Sequence, residues 1–205
     1  SGDWSSDVCS SDLTLPALRL ADAREVVHAI FQGRTSTDVE RRVAVMGGDT
    51  ALGCEEAVRY LVSAGELVVQ EETGHFEWRT QARGGPDAVS VEELMRLRFE
   101  MLSEEARRAL EVALFAPPEI QHTVAVHDGL DAVAFGASLR ALREEGWLHA
   151  DDPFTAHLIR KFTLEAMAPS RRLALHRSIF GSLPQTGVHR FARAHYAREG
   201  GLEEE

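Results

Sequence analysis

The stretch that decides the fold is Thr50-Ala51-Leu52-Gly53-Cys54-Glu55-Glu56-Ala57-Val58-Arg59-Tyr60-Leu61-Val62-Ser63-Ala64, with Leu67-Val68-Val69 and Phe76-Glu77-Trp78 close behind it. In its first part Leu52, Ala57, Val58, Leu61 and Val62 recur at helical spacing, which predicts a helix from about Thr50 to Ala64 with one buried face. The period then changes. Two short runs rich in β-branched and aromatic residues flank Glu71-Glu72-Thr73-Gly74, a hairpin pattern. Upstream, Asp22 with Glu25 reads as a capping box for a helix to about Gln32. Its stripe is Ala23, Val26, Val27, Ile30 and Phe31, and Gly33 ends it. Thr37 with Glu40 reads as a second cap pair, Val39, Val43 and Met46 form the stripe, and Gly47-Gly48 stops it. Three helices and a hairpin define a small winged-helix-like unit over residues 14–80.

Downstream, Gln81-Ala82-Arg83-Gly84-Gly85-Pro86-Asp87 has no apolar period, and residues 81–89 read as a linker. A second unit is expected over 90–168. Ser90 with Glu93 caps a helix carrying Leu94, Leu97 and Met101. Ser103 opens one that uses Ala106, Leu110 and Ala113. Pro117-Pro118 breaks that helix and permits a short one from about Glu119 to Val126. Asp131 caps a helix with Phe135, Leu139 and Leu142. Trp147-Leu148-His149 and Phe154-Thr155-Ala156, around Asp151-Asp152-Pro153, predict a second hairpin. Helices are expected at Leu158–Met167, Ser170–Leu183 and about Val188–Glu199, the last two forming a helical tail over 169–205. The fold class is therefore mainly α, with two winged-helix-like units bearing short hairpins.

The opening residues stand apart. Asp3-Trp4-Ser5-Ser6-Asp7-Val8-Cys9-Ser10-Ser11-Asp12-Leu13 has no hydrophobic period and matches the conceptual translation of a common sequencing adapter. Residues 1–13 are expected to be an adapter-derived, disordered artefact, and the chain to be an internal piece of a longer protein. Without Asp3, Asp7 and Asp12 the formal net charge of −11 becomes −8. Without Cys9 only Cys54 remains, which suits a reducing, cytoplasmic setting. Hydrophobic residues at 44% and charged residues at 27% fit a globular chain, and no apolar run reaches membrane-spanning length.

The motifs argue against several chemistries. Lys161 is the only lysine, inside Ile159-Arg160-Lys161-Phe162, so no G-x-x-x-x-G-K-[ST] phosphate loop exists. The nine histidines are scattered, and His122 and His127 are too far apart for one helix face. No metal site is expected. Cys54 precedes Glu55-Glu56, the wrong neighbourhood for a thiolate. The helix from Asp131 to Glu145 sets Arg140 and Arg143 against Asp131, Glu144 and Glu145 and offers no Asn, Gln or Lys to base edges, so direct DNA binding is not expected. Arg171-Arg172 and Arg177, with Arg160 and Lys161, form a basic stripe suited to a solvated face or to an acidic protein partner.

From Leu15 onward the chain resembles the large bacterial STAND-type signalling ATPases, including LuxR-type regulators. Leu20-Ala21-Asp22-Ala23-Arg24-Glu25-Val26-Val27 resembles the opening of the family's lid helix. Gly47-Gly48-Asp49-Thr50-Ala51-Leu52-Gly53-Cys54-Glu55-Glu56 resembles its GGNPLFLEE signature, with Asp-Thr for Asn-Pro. Leu102-Ser103-Glu104-Glu105-Ala106-Arg107-Arg108-Ala109-Leu110 is similar to LSxEARRLL, and Leu139-Arg140-Ala141-Leu142-Arg143-Glu144-Glu145-Gly146-Trp147-Leu148 to LxxLxxxGLL. Arg171-Arg172-Leu173-Ala174-Leu175-His176-Arg177 is similar to RRxxLHR. Ala192-Arg193-Ala194-His195-Tyr196-Ala197-Arg198-Glu199-Gly200 resembles the AxHYxxAG helix that opens a tetratricopeptide (TPR)-like solenoid.

The resemblance implies a non-catalytic regulatory piece that packs on an upstream nucleotide-binding core and leads into downstream TPR-like repeats. It implies ATP or ADP for the parent protein and no cofactor in this piece. It also implies an ADP contact for His157, in Thr155-Ala156-His157-Leu158-Ile159-Arg160, although the family's His falls where Ala156 stands here. The alternatives are a DNA-binding winged-helix regulator and a helical-repeat interaction module.

Overall fold

The computed structural model describes residues 16–79, 88–148, 153–186 and 189–202, and it is mainly helical. The helices are α1 (Leu20–Ile30), α2 (Thr37–Gly47), α3 (Ala51–Ser63), α4 (Val91–Met101), α5 (Glu104–Phe115), α6 (Gln121–His127), α7 (Ala132–Glu144), α8 (Pro153–Ala166), α9 (Pro169–Ser182) and α10 (Arg190–Glu199). Between α3 and α4 lies one antiparallel hairpin, β1 (Leu67–Val69) and β2 (Phe76–Trp78), in the register Leu67↔Trp78 and Val69↔Phe76. No helix among the described residues is long and apolar enough to cross a membrane.

Polar caps set most helix starts. Thr50 accepts from the Gly53 amide, Ser90 from Glu93, Ser103 from Ala106, and Asp131 from Val133 and Ala134. Each satisfies an amide that the helix itself leaves unpaired. Two expected caps shift. Asp22 reaches back to the Arg19 amide at 3.3 Å, so it lies within the first turn of α1 and the helix starts at Leu20. Ser36, not Thr37, caps α2. Glu40 is drawn instead into a buried site, where it accepts from Thr35 (3.2 Å) and meets His28 Nδ1 (2.7 Å). Burial alone would raise the Glu40 carboxyl, but the His28 and Thr35 hydrogen bonds outweigh it and hold the group below its ordinary value.

The first core joins Val27 of α1 and Phe31 just after it, Val39, Val43 and Met46 of α2, Ala57 and Leu61 of α3, and Leu67 of β1. The hairpin forms because side chains from both strands are used. Leu67 is buried, Phe76 tilts against Phe31 at 4.6 Å, and Arg42 covers the Trp78 ring at 4.2 Å. A parallel bridge from Thr35 to Phe76 adds the α1–α2 connection to its edge. Gly47 and Gly53 let α2 and α3 abut. A Cβ on Gly53 would lie 2.0 Å from the Gly47 carbonyl oxygen, and one on Gly47 2.6 Å from the Cys54 Cα.

The second core gathers Leu110 and Phe115 of α5, Val124 of α6, Phe135 and Leu142 of α7, Trp147, Ile159 of α8, and Leu175 and Ile179 of α9. Helix α4 serves both cores: Leu94 belongs to the first, Met95 and Phe99 to the second. Among the described residues the second hairpin is not found. Trp147 and Leu148 follow α7 in a turn, His149 lies outside the described residues, and Phe154-Thr155-Ala156 belong to α8. The reason is Pro153. At the first position of a helix its missing N–H costs nothing and its fixed φ is already helical, so the residues expected as a strand continue the helix instead.

Helix α10 packs antiparallel on α9: Arg177 donates to the Gly200 carbonyl (2.8 Å), while Arg193 donates to those of Leu183 (2.6 Å) and Phe180 (3.1 Å).

Candidate functional site

Where the two cores meet, two charged side chains occupy apolar helix faces. Glu56 sits on α3 between Gly53 and Ala57 in the buried stripe, and Arg98 on α4 between Met95 and Phe99. Glu56 is 0% exposed and Arg98 2%. Arg98 Nη1 donates to Glu56 Oε2, and its Nη2 donates to the Glu145 carbonyl beyond the end of α7 at 2.7 Å. Arg59 Nη1 donates to the other Glu56 oxygen at 2.6 Å and, through Nη2, to Glu55 at 3.2 Å. The Arg98 guanidinium also lies 4.4 Å over the Trp147 ring. Trp147 in turn meets Phe99 edge-on, and Phe99 meets Phe162 of α8. One ion pair thus ties α3, α4, the end of α7 and, through the rings, α8.

The electrostatics are those of a committed pair. Burial pulls the Arg98 guanidinium below its ordinary value, and the Glu56 carboxylate pulls the other way. Removing either partner would strand a charge in the interior.

One open groove borders this junction, and another opens elsewhere on the first core. One, of about 650 Å³, is lined by Val62, Arg98, Met101, Ala106, Ala141 and Trp147 among others. The other, of about 720 Å³, lies on the far side of the first core, between Leu20, Val45, Gly47-Gly48-Asp49-Thr50 and Val89-Ser90-Val91. Val62 and Met101, expected in buried stripes, are 44% and 45% exposed because they form the wall of the first groove. Leu20 and Val45 are similarly exposed beside the second.

His157 lies on the exposed side of α8, inside the helix rather than at a wing junction, and lines neither groove. Cys54 is buried, and burial together with Glu55 pushes its thiol up, so it packs rather than reacts. Among the described residues no group of three His, Cys, Asp or Glu side chains could hold a metal ion. Arg171, read as part of a basic stripe, is instead half-buried and engaged, bridging Glu111 of α5 and Asp128 after α6. There burial raises the Glu111 carboxyl above its ordinary value despite Arg171.

The Glu56–Arg98 pair is what sequence reading missed. Its signal was present: one acid and one base, each at an apolar-face position of its own amphipathic helix. Buried charges at such positions require each other.

Comparison with protein-family models, with curated proteins and with solved structures finds no match to this chain.

Proposed function

We propose that the chain is a non-catalytic regulatory piece of a bacterial signal-transduction ATPase of the STAND class, a lid followed by a winged-helix-like unit and the first helix of a repeat array. In this reading it packs on a nucleotide-binding core in one nucleotide state and releases it in another. The observation that carries the reading is the buried Glu56–Arg98 pair. It makes the first core and the second one mechanical body, which is what a part that relays a nucleotide state to downstream repeats needs. The resemblance of the Gly47–Glu56 segment supports it further, since that segment forms the tight α2–α3 corner at the rim of a groove with exposed Leu20 and Val45. The hairpin expected in the first unit corresponds to β1 and β2, with the Thr35–Phe76 bridge at its edge.

The test has two arms. Calorimetric titration of ATP and ADP against the 205-residue chain is expected to give no binding, because the nucleotide core is elsewhere; micromolar binding would contradict the proposal. Extending the reading frame upstream is expected to add a P-loop and ATPase activity, and Arg98→Met in that longer protein is expected to change the rate of ADP release. An upstream segment without such a loop would end the reading.

A further inference from the structure

Helix α10 is attached in an unusual way. None of its described residues is buried, and Phe191 is 88% exposed. Ala192 and Tyr196 rest partly buried against the second core, and polar bonds fasten the helix: the Arg193 and Arg177 hydrogen bonds to carbonyls, and the Tyr196 hydroxyl donating to the Phe115 carbonyl at 2.7 Å. None of these donors changes charge between pH 5 and 8.

In the middle of the α9–α10 contact stands His176 of α9, 6% exposed. Its ring packs at 5.6 Å from Tyr196 and 6.3 Å from His195, both on α10. Its Nδ1 is buried without a hydrogen-bond partner among the described residues. The charged and titratable groups that face it are Arg160 from α8, Arg172 from α9 itself, and His195 and Glu199 from α10. On the other elements packed against α9, Glu111 and Asp128 are engaged by Arg171, and His127 is hydrogen-bonded to Ser182. A proton on His176 would therefore meet two guanidinium groups and a second imidazole, with Glu199 as the one facing carboxylate.

We propose that α10 is an acid-released latch, in which protonation of His176 undocks α10 from α9 while the rest of the molecule stays folded.

Burial is the first cause that holds the docked His176 below its ordinary value of 6.5, with Glu199 opposing it. The sign follows. The undocked state, with the ring in water, binds the proton more readily. Docking is at full strength above about pH 6.5 and weakens as the pH falls, by up to about tenfold in the docked-to-undocked ratio per pH unit until the docked ring itself protonates. Exposed Phe191 and the freed faces of α9 and α10 then become available together, a change of surface and not of overall fold.

Hydrogen exchange read by mass spectrometry, corrected for the intrinsic pH dependence of exchange, tests this on the 205-residue chain. Between pH 7.5 and pH 5 the amides of α10 are expected to lose protection while those of α3 and α5 keep theirs. His176→Gln, neutral at both pH values, is expected to keep α10 equally protected at both. His176→Lys is expected to leave α10 unprotected already at pH 7.5, and His195→Gln to retain the acid transition. Unchanged α10 protection in the wild type down to pH 5, loss of protection by all helices together, or a full acid transition in His176→Gln would each overturn the proposal.

Discussion

Glu56→Ala perturbs the junction between the cores at its most buried charge, and the structure lets the cost be apportioned. The substitution removes the acceptor of both Arg59 and Arg98. Arg59 is 27% exposed and keeps Glu55, so it can turn to water at little cost. Arg98 is 2% exposed and is left with one neutral acceptor, the Glu145 carbonyl. Stranding a buried guanidinium in this way costs about 3–5 kcal/mol. Arg98→Met is expected to cost somewhat less, because Glu56 retains Arg59. The double variant Glu56→Leu/Arg98→Met replaces the pair by apolar side chains, and such exchanges are often neutral or stabilising by about 1–4 kcal/mol. The double variant should therefore be more stable than Glu56→Leu or Arg98→Met alone, and the coupling in the cycle formed by these three with the wild type should exceed about 2 kcal/mol. Urea unfolding followed by circular dichroism and by tryptophan fluorescence measures all of these proteins. Trp147 reports on the junction and Trp78 on the hairpin. If both single variants lost less than about 1 kcal/mol and their effects simply added, the pair would be an ordinary surface ion pair and the reasoning would fail.

Other outcomes follow from the same geometry. Gly53→Ala places a Cβ 2.0 Å from a backbone oxygen that cannot move without separating α2 from α3, so it should destabilise the first core by about 1–3 kcal/mol or more; a melting temperature equal to wild type would count against the close approach. Tyr196→Phe removes one donor to the Phe115 carbonyl and should cost about 1 kcal/mol, seen as faster exchange of α10 amides with α1–α3 unchanged. Cys54 should resist a soluble maleimide in the native chain and react on unfolding, since it is buried with its thiol pushed up; rapid native labelling of Cys54, located by peptide mapping, would refute its packing role.

Much of the fold was legible because local chemistry and tertiary packing agree there. Caps at Thr50, Ser90, Ser103 and Asp131 each sit directly before an apolar stripe, so the starts of α3, α4, α5 and α7 could be read from side-chain oxygens and spacing alone. The first hairpin was legible because its alternation coincides with contacts to Phe31 and Arg42. The second was misread because Phe154-Thr155-Ala156 has strand-like composition, and a proline before it suits a helix start as well as a turn; composition cannot choose between them. Glu40 looked like a capping acid because the spacing Thr37–Glu40 is right, but spacing does not reveal that His28 and Thr35 lie across from it. Val62 and Met101 follow the apolar period yet stay exposed, since a helical stripe reports that a residue faces its neighbours and not whether a neighbour fills that space. The Glu56–Arg98 site was hidden for a related reason: the two residues are far apart in sequence, and neither helix alone shows which distant charge its own would meet.

The central claim is that the two cores behave as one body through the Glu56–Arg98 pair. Native-state hydrogen exchange in low denaturant tests it most directly. The slowest amides of α2 and α3 and those of α5 and α7 are expected to open with a common free energy in the wild type, and with separate, lower values for the first core in Glu56→Ala. Cores that already open independently in the wild type, or that stay coupled in Glu56→Ala, would contradict the account.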